Sequence, residues 1–138
     1  MTTASSDRPL LEVLDDDECL RLLGGEAIGR LGLSAGALPV VLPINFTLDG
    51  RRVVFATEPG TKLDAARCAA VACLEVDGHD TLRHEGWSVL ATGRLCELVG
   101  DEASAADALP LSPWAVAGGR HYVELGIELL SGRRIRRP

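Results

Sequence analysis

The chain is 138 residues long, with 46% hydrophobic and 25% charged residues and a formal net charge of -6. That length fits one domain with a true core, and the composition excludes a disordered or low-complexity protein. The acidic balance argues against a domain that coats nucleic-acid phosphates, which carries a strong basic excess.

Residues 1–9 are small and polar and read as a frayed tail, leaving residues 10–138 as a single domain. They include no apolar run that would act as a signal peptide. The most apolar stretch, residues 37–46, is too short to cross a membrane and is broken by Pro39 and Pro43. Cys19, Cys68, Cys73 and Cys96 form no C-x-x-C pair and are read as small apolar core residues. Together these features predict a cytoplasmic protein with no metal site.

Asp15 or Asp16 can cap a short helix with Cys19, Leu20 and Leu23 on its apolar face, closed by Gly24-Gly25. Strand texture then begins, with residues 27–33 and 38–48 predicted as strands. Asp49-Gly50 joins the second of these to residues 52–57, the strongest short-range hairpin signal in the chain. Pro39 and Pro43 remove two ladder donors and demote parts of residues 38–48 to an edge or bulged position. After Glu58-Pro59-Gly60, Thr61 is predicted to cap a helix over residues 62–69, followed by a strand at 70–76. Residues 77–86 read as a polar loop. Residues 87–99 read as a strand bent at Gly93, and Asp101 as the cap of a short Ala-rich helix. Residues 110–119 are predicted as a loop carrying Trp114, before a last strand or strand pair over 121–135.

The expected fold is mainly β: a six-stranded antiparallel barrel or sandwich with two or three short flanking helices. Even eight strands give a barrel interior only just wide enough for side chains. A sizeable ligand must therefore lie in an outer groove, completed by a second subunit.

Of the 14 basic residues thirteen are Arg, and the single Lys, Lys62, directly follows Gly60-Thr61 at a predicted helix start. Free amides, a hydroxyl and an ammonium group at one helix tip suit a phosphate monoester. An ordinary Thr cap followed by an exposed Lys accounts for the same residues. His79, His84 and His121 have no metal-ligand spacing, Asp15 to Glu18 are explained by capping, and the Arg133, Arg134, Arg136, Arg137 tail reads as solvated or as an Arg pair helping with the cofactor of a neighbouring subunit. No acid, base or nucleophile is assigned.

Pro43-Ile44-Asn45-Phe46, Val54-Phe55-Ala56-Thr57, Gly60-Thr61-Lys62, Glu75-Val76-Asp77 and Gly86-Trp87-Ser88-Val89 follow one another in an order that resembles the pyridoxamine 5'-phosphate oxidase-like flavoproteins. Ile28-Gly29-Arg30-Leu31 and Gly132-Arg133-Arg134-Ile135 fit the same family. The resemblance implies a Greek-key split barrel that binds FMN, and a homodimer with the cofactor at the subunit interface. Carried over, Thr61 and Lys62 would hold the phosphate; Pro43, Ile44, Asn45, Ala56 and Thr57 would line the ribityl chain or ring. Trp87 and Ser88 would reach the flavin, often from across the dimer, and Trp114 could cover the ring. The implied activity is electron transfer to or from a small organic substrate. The alternatives are a non-catalytic carrier or sensor of flavin, deazaflavin or haem, and a cofactor-free interaction protein. Val40-Val41 stand where the vitamin B6 oxidases have an Arg, and the chain ends soon after Ile135, so oxidation of vitamin B6 itself is not the first expectation.

Overall fold

The computed structural model describes residues 8–111 and 120–137. Chain order is β1 (Leu10–Val13), α1 (Asp16–Gly24), β2 (Ile28–Ala35), β3 (Leu38–Asn45), β4 (Thr47–Asp49), β5 (Arg52–Thr57), α2 (Thr61–Arg67), β6 (Val71–Asp80), β7 (Glu85–Leu98), α3 (Asp101–Ala106) and β8 (His121–Arg136). All pairings are antiparallel, in the order β3-β2-β6-β7-β8-β5-β4, with β1 added to β8. The described residues thus hold eight strands rather than six. The predicted 38–48 strand divides at Phe46, whose buried side chain joins the core, and β1 pairs with a segment more than a hundred residues away.

Local chemistry explains most boundaries. Asp15 caps α1 by accepting the Glu18 amide at 2.9 Å. Gly50, at φ +64°, turns the two-residue hairpin between Asp49 and Arg52, a conformation that costs a glycine little. β3 ends the strand order, as its prolines require. In β7 the pairing with β8 shifts between Thr92 and Gly93, and a Cβ on Gly93 would stand 1.7 Å from the Gly126 carbonyl oxygen. The bulge is there because the two backbones touch.

Other expectations are corrected. Neither Thr61 nor Asp101 is a cap: each is the first helical residue, after Gly60 and Gly100, because a glycine supplies the break without a side-chain bond. The predicted 77–86 loop is mostly strand, with β6 running to Asp80 and β7 starting at Glu85. Asp80 Oδ1 turns the intervening residues by accepting the Leu82 and Arg83 amides. Of the two alternatives for the last segment, a strand or a strand pair, the chain forms one strand, β8. Of the cysteines only Cys19 is buried; Cys96 sits on the outward side of β7, and Cys68 ends α2 in solvent.

Inward residues from strands at both ends of the order, among them Leu31, Ile44, Val53, Phe55, Leu74, Val89 and Leu125, form one core with Leu23 of α1 and Leu63 of α2. α3 covers a second, smaller cluster on the other face of β5 and β8, built from Val54, Leu98, Ala106 and Tyr122. The Tyr122 hydroxyl closes that contact by donating to Asp107.

Candidate functional site

Helix α2 distributes its residues to separate tasks, since successive positions turn by about 100°. Leu63 and Ala66 enter the core. Thr61, Asp64, Ala65 and Cys68 line one wall of a cleft of about 330 Å³, closed on the other side by the β2–β3 turn. Arg67 leaves on another flank and donates to Glu97 at 2.8 Å; Glu97 also meets His121 Nδ1 at 3.0 Å. Arg67 first and His121 second hold the Glu97 carboxyl below the usual carboxylate range. Lys62 is half-buried and turns roughly 140° away from Arg67 around the helix, with no side-chain partner among the described residues.

The first turn of α2 has no side-chain cap, whereas α1 is capped by Asp15. A Cβ on Gly60 would meet nothing within 4 Å. Unclaimed amides, a hydroxyl and an ammonium group beside open space are the donor set that a phosphate monoester takes.

The remaining sequence-predicted residues divide by the strand pleat. Ile44 is buried in the core, while Pro43 and Asn45 on either side of it face outward. Thr57 is buried and its hydroxyl donates to the Glu58 carbonyl at 3.1 Å; Ala56 turns to the cluster under α3. Trp87 and Ser88 likewise point to opposite faces. Ser88 stands outward between Asp77 and Arg133. Trp87 turns inward, partly against the core, its ring lying over Gly78, where a Cβ would come 2.6 Å from the indole nitrogen. Trp114 lies outside the described residues.

The structure does not bring these two groups together within one chain. Thr61 shares its cleft with Ala70, at the start of β6, whereas Trp87 and Ser88 pair with Gly78 and Asp77 near its end. Seven residue steps from Val71 to Gly78 span roughly 23 Å of strand.

The outward face of β3-β2-β6-β7-β8 carries one row of Pro43, Arg30, Glu75, Leu90 and Ser131, and a second of Val41, Gly32, Cys73, Thr92 and Leu129. Val41 and Leu129 are each 68% exposed. Arg30 Nη1 bridges Glu75 at 3.1 Å and Asp77 at 2.9 Å. Partial burial and then the neighbouring Asp77 push the Glu75 carboxyl above its ordinary range.

Sequence reasoning missed Gly78 and the Glu97–His121 pair, because both depend on strand registers invisible locally. The one available signal was Asp80, whose turn-forming side chain splits the presumed loop into a hairpin. Among the described residues no three His, Cys, Asp or Glu side chains stand close enough to hold a metal ion. Nor, among them, is any helix long and apolar enough to cross a membrane.

An antiparallel sheet with three short helices and a phosphate-suited helix tip defines a class of small β-proteins that hold a ligand outside the core. Residues 15–134 match the family model described as pyridoxamine 5'-phosphate oxidase, and the chain belongs to that family. It is 33% identical over 135 residues to Rv0080, an uncharacterized Mycobacterium tuberculosis protein, covering 94% of this chain and 88% of the relative. Among solved structures it is similar to an FAD-binding protein from Mycobacterium smegmatis at 30% identity and a TM-score of 0.74, covering 90% of this chain and 97% of the other. An FAD-binding protein from Mesorhizobium loti shares the fold at 23% identity and a TM-score of 0.78, covering 93% and 98% of the two chains.

Proposed function

We propose that the protein is a homodimeric split-barrel flavoprotein that binds FMN and passes electrons to or from a small organic molecule. The observation that carries this reading is the uncapped first turn of α2, with Thr61 on a cleft and Lys62 beside it without a side-chain partner among the described residues. The likeness to two FAD-binding proteins supports a flavin as the ligand. Thr61 and Lys62 hold the terminal phosphate, and the outward residues Pro43 and Asn45 lie along the ribityl chain and ring. When bound, the flavin supplies the redox chemistry; the protein supplies position, electrostatics and exclusion of water.

Two features support the dimer. The outward sheet face exposes Val41, Leu90 and Leu129, apolar side chains that a second copy would cover. A copy packed with its ends reversed also brings its own Ser88 toward the Thr61 end of the first, closing the gap that a single chain leaves open. Trp87, carried over with Ser88, turns to the other face of its own sheet.

The test is an absorption spectrum of the protein as purified, with mass spectrometry of whatever is released on denaturation. FMN is the expected product. FAD, deazaflavin or haem would each redirect the cofactor assignment, and a colourless protein that takes up no flavin in titration would refute the reading. Anaerobic reduction by NADH or NADPH, followed by reoxidation in air, separates an oxidoreductase from a carrier. A monomer in ultracentrifugation at micromolar concentration would refute the dimer.

A further inference from the structure

A second cleft, of about 360 Å³, lies at the far end of β6 from α2, between the ends of β6, β7 and β8. It shares no lining residue with the cleft beside α2. Trp87 and Ile135 provide its apolar lining, while His79, Asp80, Glu85, Arg134 and Arg136 give it charge of both signs.

The two signs are not equally available. Asp80 Oδ1 is committed to the Leu82 and Arg83 amides, and Glu85 Oε2 accepts the Arg137 amide at 3.0 Å. The guanidinium groups are held only loosely. Arg134 is 3.5 Å from Glu18 Oε1, an oxygen already engaged by Arg21. Arg136 is 3.4 Å from Glu12. Each contact is a charge contact that uses few of the five donors a guanidinium carries. Arg134 also stands directly across the strand pair from Trp87, on the same face of the sheet. The ring itself is laid across Gly78, which leaves no neighbouring side chain between the two strands to fill that place.

An aromatic surface flanked by guanidinium donors, in a cleft near the small end of the range for ligand pockets, suits a flat ring with one acidic group. We propose that the Trp87 cleft is a binding site for planar aromatic carboxylates of one or two rings, the ring against Trp87 and the carboxylate on Arg134 and Arg136.

The chain has two tryptophans, so its indole N–H signals can be followed one by one in a nitrogen-proton NMR spectrum, the Trp87 signal being the one absent from Trp87→Phe. The probe is quinoline-2-carboxylate, titrated into the full-length protein as purified. Quinoline tests the need for charge, and cyclohexanecarboxylate the need for a flat ring. The expected result is a saturable shift of the Trp87 signal with quinoline-2-carboxylate, with both controls weaker by roughly tenfold or more. Arg134→Gln should weaken the probe by a similar factor, the loss of one charge-assisted contact. If that variant does not fold, Arg136→Gln, at the exposed strand end, makes the same comparison. No saturable shift at millimolar probe, equal binding of quinoline, or an unchanged affinity in the folded variant would overturn the proposal. The titration is repeated with FMN added, because Ser88, next to Trp87, approaches the partner copy's α2 in the proposed dimer; a Trp87 shift that FMN alone reproduces and that blocks the probe would overturn a separate cleft.

Discussion

Lys62→Ala tests the helix tip with binding and folding cleanly separated. In the ligand-free protein the Lys62 ammonium has no side-chain partner among the described residues, so its removal should change stability by no more than about 0.5 kcal/mol, the usual range for surface substitutions. In the complex it would provide a hydrogen bond to a charged phosphate, worth about 1.5–3 kcal/mol, or roughly ten- to a hundredfold in affinity. Half-burial and access to salt put the expected loss toward the lower end of that range. FMN fluorescence titrations of both proteins measure the difference, and thermal melts without ligand check that the fold is intact. Raising the salt to about 1 M should shrink the gap between the two, since the Debye length falls to about 3 Å. Equal FMN affinity in a well-folded variant would remove Lys62 from the site and leave the uncapped turn without its strongest donor.

Two glutamates should respond to pH with opposite sign. Glu97 has a lowered carboxyl in the fold, so its stabilisation is present above the ordinary carboxylate range and is lost as pH falls through the lowered value. Glu97→Gln should therefore lower the melting temperature at pH 7 and make little difference in strong acid. Glu75 is raised, so stability falls as pH rises through the interval between its ordinary and its raised value; Glu75→Gln should raise the melting temperature at pH 7. Melts of both variants at acid and neutral pH decide the matter, and shifts of the same sign at pH 7 would refute the assignment. Gly93→Ala should cost about 3 kcal/mol or more in urea unfolding, because its Cβ meets the Gly126 carbonyl at 1.7 Å; a wild-type midpoint would mean that the bulge relaxes freely. Tyr122→Phe should cost about 1 kcal/mol by removing the hydroxyl that reaches Asp107, and an unchanged urea midpoint would show that α3 needs no such closure.

Some features of the chain are set within a few residues and are legible without coordinates. The Asp15 cap, the Gly50 hairpin and the edge position of β3 each follow from the conformational limits of one or two residue types. The Gly60-Thr61-Lys62 tip was likewise legible, although Gly60 rather than Thr61 proved to be the break; that difference left the first turn uncapped and open to a ligand. The 80–85 hairpin escaped because the positions on its inward face, Gly78, Asp80 and Glu85, are not apolar, so the apolar alternation that marks a strand fades before the strand ends.

Tertiary structure alone decided which residues share a surface. Side-chain direction alternates along a strand, so neighbours such as Trp87 and Ser88 part to opposite faces, while Trp87 and Arg134, 47 positions apart, become a cross-strand pair. Composition and short patterns determined that a β-rich domain would form, with a helix starting after Gly60. Register is a property of pairs of distant segments, set by packing of the whole core; it separated that tip from the aromatic cleft by the length of a strand.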